Sequence, residues 1–147
     1  MKPPEQVRAE LVRQWLKKAE DDWRLRRRLA MDSGSYAEAS AFHAQQAVEK
    51  YLKAFLTWHQ VEFLKTHDIK RLLTLASTRD PSLAEALSDA ADLTAYAVEY
   101  RYPGEYPPVT KDDAVGAVAV ADRVREQVRK RLPIQGMGAS NDDCGSN

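Results

Sequence analysis

The sequence predicts an all-α fold, an antiparallel up-and-down bundle of four or five helices, on three observations. Glycine and proline are few, 6 and 7 residues in 147, and clustered, which leaves long uninterrupted segments. Apolar residues in those segments recur every three or four positions, the period of one helix face. No segment alternates apolar and polar residues between hairpin turns, so no sheet is expected. Long helices joined by short connections pack antiparallel.

The first helix is expected over about residues 5–31, with Val12, Trp15, Leu16, Ala19, Trp23 and Ala30 near one face. The DSGS stretch at 32–35 ends it, because Asp, Ser and Gly favour turns and caps over a helix interior. A second helix covers about 36–60. A short third follows Thr66 and carries Ile69, Leu72, Leu73 and Ala76. Asp80-Pro81 opens the fourth, a capping residue followed by proline at the first helical position. Its inner stripe is Leu83, Ala86, Leu87, Ala90, Leu93 and Ala97. The stretch RYPGEYPP (101–108) breaks the chain, and Thr110 with Asp113 matches a capping box. The fifth helix carries Val118, Ala121, Val124, Val128 and Leu132, and Pro133 stops it. One bundle over 1–133 is therefore expected, with small residues Ala41, Ala44, Ala90, Ala97, Ala117 and Ala121 letting axes approach. The tail 134–147 has almost no apolar surface to offset its ordering entropy and is expected to be disordered.

A chain of this length can bury one real core. Its 22 basic and 22 acidic side chains balance, without the positive excess of a strong non-specific nucleic-acid binder. Arg24, Arg26, Arg27 and Arg28 form the main local run of charge and read as a solvated helix face. A single cysteine, Cys144, cannot staple the fold or build a cysteine-rich zinc site, which fits a reducing compartment. The N-terminus lacks an apolar run behind its charges, and no apolar stretch approaches the roughly 20 residues of a membrane span. A soluble cytoplasmic protein without a membrane association is expected. Trp15, Trp23 and Trp58 are expected as core or interface anchors.

Residues 41–56, AFHAQQAVEKYLKAFL, carry two stripes. Ala41, Ala44, Val48, Leu52 and Phe55 form the apolar one. His43, Gln46, Lys50 and Lys53 fall within an arc of roughly 80° on the opposite side. Two cations, an amide and an imidazole could grip a phosphate, a carboxylate or a base edge, or could be the wet side of an ordinary helix.

That segment, followed by THDIKRLL (66–73) and YRYP (100–103), resembles the HEPN domain family. WLKKAEDDWRLRRRLA (15–30) is similar to the family's opening segment, and QQAVEKYLKA (45–54) is the most specific motif. The resemblance spans about residues 10–132. It implies a HEPN-like helical bundle that forms a homodimer. It also implies a minimal nucleotidyltransferase as partner, in a toxin–antitoxin or nucleotide-handling pair, and a nucleotide or RNA as ligand. Carried over, the family pattern marks Asp22, Gln46, Glu49, Lys50, Lys53, His67, Arg101, Tyr102 and Pro103. Of these, Gln46, Lys50, Lys53, His67, Arg101 and Tyr102, with His43, are the candidate ligand-binding residues, and Asp22, Glu49 and Pro103 support them. Arg101 offers a planar fork, the lysines point charges and Tyr102 a stacking face. Because minimal nucleotidyltransferases can modify a partner's tyrosine, Tyr102 and Tyr106 are the candidate acceptors.

One departure from the family matters for mechanism. Its ribonuclease branches carry Arg, four to six residues, then His; none of His43, His59 and His67 follows an arginine at that distance. GEYPP stands after Arg101 and Tyr102 where such a histidine would be needed. No catalytic residue is therefore assigned, and acid–base cleavage of RNA by that pair is disfavoured. No Glu-x-x-His, Walker loop or dinucleotide loop occurs, so neither a metal nor a cofactor is expected. A non-catalytic binding module leads; a degenerate ribonuclease toxin and a purely structural adaptor are the alternatives.

Overall fold

A computed structural model of the chain describes residues 3–30, 36–96 and 108–133, and all regular structure among them is helical. The helices are α1 (Pro4–Ala30), α2 (Ala37–Trp58), α3 (Ile69–Ser77), α4 (Pro81–Ala86) and α5 (Lys111–Lys130), with a 3₁₀ helix at Ser88–Tyr96 between α4 and α5. The tail 134–147 and the RYPGEYP stretch fall outside the described residues.

Helix directions follow from who meets whom. Asp22 of α1 bonds His43 and Lys50 of α2, Glu20 bonds Tyr51, and Arg8 stacks on Trp58. Numbers fall along α1 as they rise along α2, so the two are antiparallel. Trp23 bonds Asp122 while Glu20 takes Arg125, so α5 also runs antiparallel to α1. The remaining wall of the bundle is made of α3, α4 and the 3₁₀ helix, which pack on one another and, for α3 and the 3₁₀ helix, on α2.

Helix α2 is the central element. Its buried positions run from Ser40 to Leu56 and include both sides of the helix. A helix covered all round belongs inside a domain rather than on its surface. Val48, Tyr51, Leu52, Phe55 and Leu56 are fully buried, each worth about 1.5–3 kcal/mol of transfer free energy where the side chain is large and apolar. Ala41, Ala44, Ala90, Ala117 and Ala121 are buried as expected, and Ala97 lies outside the described residues.

Local side-chain and backbone bonds close the helix ends. Asp80 accepts from Ser82 N and Leu83 N, and Thr110 with Asp113 closes the full capping box of α5. Asp68 caps α3 by accepting from Lys70 N and Arg71 N. Helix α2 stops without glycine: Gln60 takes φ 58°. Gln60 N then bonds Thr57 O, and Val61 N bonds Leu56 O. This is a Schellman closure with glutamine where glycine usually stands.

The expected fourth helix over 81–97 is corrected. The α-helix ends at Leu87 (φ −115°, ψ 22°), and a 3₁₀ helix follows. Leu87, Ala90 and Leu93 are all buried. At about 100° per residue an α-helix would splay Leu87 and Leu93 apart by about 120°. At three residues per turn a 3₁₀ helix puts them on one line. Burial of that row outweighs the poorer hydrogen bonds. Ala86, expected inside, is exposed for the same reason.

Replacing Phe55 by Ala is expected to cost about 3–5 kcal/mol and Thr110 by Ala about 1 kcal/mol in urea unfolding. Equal losses would contradict the central placement of α2.

Candidate functional site

The polar stripe of α2 is not a wet face. It lies opposite Val48, Leu52 and Phe55, but α1 and the 59–68 connection cover it. Lys53 is only 6 % exposed and Glu49 only 2 %.

Glu49 is the hub. Its carboxylate accepts from Gln45 Nε2 at 3.2 Å and from Lys53 Nζ at 2.7 Å. His67 Nδ1 stands 3.0 and 3.1 Å from its two oxygens. Gln46 Nε2 in turn donates to Gln45 Oε1 at 2.9 Å, which extends the chain by one amide. The Lys53 ammonium also lies 5.3 Å from the Trp15 ring and 5.8 Å from the Phe63 ring. Those rings meet edge to face, so the cation is enclosed by aromatic surface on one side and a carboxylate on the other.

One turn along, Asp22 of α1 collects a second pair. His43 Nδ1 is 2.8 Å from Oδ1, and Lys50 Nζ is 2.6 Å from Oδ2. Burial pushes the Asp22 carboxyl up, but the hydrogen bonds and charges of His43 and Lys50 outweigh it and hold it below the usual carboxylate range. An ionised carboxylate only accepts, so His43 presents Nδ1–H to Asp22. Both histidines are oriented by a carboxylate, as a positioned acid–base or ligand group must be.

Each of the two carboxylates is paired with one lysine ammonium, Asp22 with Lys50 and Glu49 with Lys53. His67, with its side chain 40 % exposed, also borders an open hollow of about 350 Å³ shared with Lys65, Thr66, Asp68 and Thr94. Thr66 Oγ1 accepts from Asp68 N and Thr94 Oγ1 from Ile69 N, which leaves each hydroxyl proton to donate.

Of the candidate residues, Lys53 and His67 meet on one carboxylate, and His43 and Lys50 meet on another. Gln46 joins the first group through Gln45. Arg101, Tyr102, Pro103 and Tyr106 lie outside the described residues. Gln45 stands in the family motif without being one of the candidates; Gln45, Glu49 and Lys53 are four residues apart in sequence, a ladder that spacing alone makes legible.

Sequence reading also misses a second network. Glu20 accepts from Tyr51 Oη at 2.5 Å and from Arg125 Nε at 2.8 Å. Burial raises the Glu20 carboxyl, yet Arg125 and Tyr51 bring it below its ordinary value; burial and Glu20 raise the Tyr51 hydroxyl. Arg125 stacks 3.8 Å over Trp23, whose indole donates to Asp122 at 2.8 Å, and Arg26 pairs with the same Asp122. Arg26, expected in a solvated run, is 3 % exposed and belongs to this joint of α1 and α5.

An all-helical bundle with an ordered, charge-balanced seam between its first two helices is thus the class of protein defined. Residues 12–131 match the HEPN domain model, and the chain belongs to that family. It is similar to the crystal structure of ST0689, an archaeal HEPN homologue, at 29 % identity and a TM-score of 0.63, over 81 % of this chain and 95 % of that one. It is also similar to the crystal structure of TT1696 from Thermus thermophilus, at 28 % identity and a TM-score of 0.65, over 82 % and 98 % of the two chains. No curated protein matches it.

Asp22 gives a pH test. Its folded value lies below the unfolded one, so its contribution is present above the ordinary carboxylate value and is lost as pH falls through the folded value. Asp22→Asn is expected to cost about 1–3 kcal/mol at neutral pH and to flatten the acid limb of stability against pH. Urea unfolding at several pH values checks both; an unchanged acid limb would remove Asp22 from the linkage.

Proposed function

We propose that this chain is a non-catalytic HEPN binding module. It works as a homodimer, holds the phosphate of a nucleotide or of RNA, and partners a minimal nucleotidyltransferase in a toxin–antitoxin-like pair. The supporting observation is that His67, which meets Lys53 on the Glu49 carboxylate, also lines a hollow open to solvent. Fixed donors, one on a rigid helix and one in the connection tied to it, are what anion recognition needs, because little side-chain entropy is left to lose on binding. Lys50 and His43, held by Asp22, extend the same row.

Because Lys50 and Lys53 are already balanced by carboxylates, an incoming phosphate draws on the imidazoles and on the candidate Arg101. The missing Arg-x4–6-His motif favours binding over cleavage. One observation keeps the ribonuclease alternative in view: a carboxylate-oriented imidazole is a competent acid–base group. RNA cleavage by the isolated protein that vanishes in His67→Gln would establish it.

The direct test is thermal shift with a nucleotide panel at two salt concentrations. Stabilisation is expected that weakens with salt and falls at least about threefold in apparent affinity in Lys50→Gln and His67→Gln. A folded protein that no nucleotide or short RNA stabilises would overturn the proposal.

A further inference from the structure

We infer that the outer face of α1 is self-complementary and joins a second copy of this chain in antiparallel orientation. The inference rests on the homodimer proposed above and names its surface. Six large hydrophobic side chains are exposed among the described residues, and three of them, Val7, Leu11 and Leu25, stand on α1, each 39–45 % exposed. At about 100° per residue, these three and the half-buried Leu29 fall within an arc of roughly 40°. Scattered singly, such residues mean nothing; aligned on one helix they form a stripe. That stripe is separate from the inner one of Val12, Leu16 and Ala19, which packs into the core.

Charge complementarity identifies the occupant. Exposed Lys18 lies at the middle of the arc, and exposed Asp21 lies beside it. In an antiparallel pair related by a two-fold axis between these positions, Lys18 faces the second copy's Asp21, and the reverse contact is made at the same time. The same register seats Leu11 between Leu25 and Leu29 of the second copy, again twice. An apolar contact at each end with an ion pair on each side of the axis is an isologous interface. Asp21 pairs with Lys17 at 3.3 Å, both largely exposed, a contact that contributes little and is easily exchanged.

The Asp22–His43–Lys50 group borders this stripe, because Asp22 is four residues beyond Lys18 and three before Leu25. Pairing through α1 therefore brings two such groups toward the axis, and the anion-holding row of one copy is continued by that of the other.

Sedimentation of the full chain tests the surface. Wild type is expected at twice 16.6 kDa. Leu11→Asp with Leu25→Asp should weaken association at least about 100-fold while the helical circular dichroism spectrum stays unchanged, since both residues are exposed. Lys18→Asp and Asp21→Lys should each weaken it about tenfold, and the double reversal should restore it. A dimer that tolerates all four changes would overturn this surface and leave the homodimer standing on another face. A wild-type monomer at every concentration up to about 100 μM would overturn both.

Discussion

The structure turns on a carboxylate inside its central helix. Glu49 is almost wholly buried, and a charge in that position is tolerable only because Lys53, Gln45 and His67 all reach it. The requirement is mutual: Lys53 lies between two aromatic rings and Glu49, so neither member can be removed alone without stranding the other. Satisfying Glu49 also fixes where the 59–68 connection must run, since His67 comes from that connection. The path from α2 to α3 is thereby tied to the interior of α2, and the Asp68 cap that starts α3 falls one residue later.

Charge joins α1 to its neighbours in three places, and each joint uses a different chemistry. Asp22 links α1 to α2 through a histidine and a lysine. Glu20 links α1 to both α2 and α5 through a phenol and a guanidinium. Asp122 holds an indole and Arg26 at the other end of the α1–α5 contact. Apolar packing supplies most of the stabilisation, but it is indifferent to a slide of one turn. These paired polar groups are not, and they select one register among several of similar buried area.

Much of this is legible in the sequence, for identifiable reasons. Asp80-Pro81 and Thr110 with Asp113 are local signals whose physics is complete within four residues, and both caps form. The apolar stripes of α1, α2 and α5 are likewise periodic over many turns. What is not legible needs a partner from far away. The polar stripe of α2 reads equally well as a solvated face because nothing in residues 41–56 announces that Asp22 and His67 will cover it. Arg26 reads as exposed because its partner Asp122 is 96 positions distant. The end of α2 is read to within two residues, but the left-handed turn that closes it is not, because Gln60 occupies a backbone region that usually betrays itself by glycine. The break after Leu87 does have a signal, since a three-residue repeat of buried positions runs through Leu87, Ala90 and Leu93.

The wall built from α3, α4 and the 3₁₀ helix sets how the molecule yields under strain. Three short pieces nucleate poorly on their own and share few ladder hydrogen bonds, so each depends on contact with its neighbours to persist. The long helices α1, α2 and α5 are braced against one another by Asp22, Glu20 and Asp122, none of which involves that wall. Amide exchange should therefore begin there, as a sub-global opening that leaves the other three rods in place. The bundle has a stiff frame and one pliant side, and inherited variation in length or composition would be absorbed on that side at least cost to the rest.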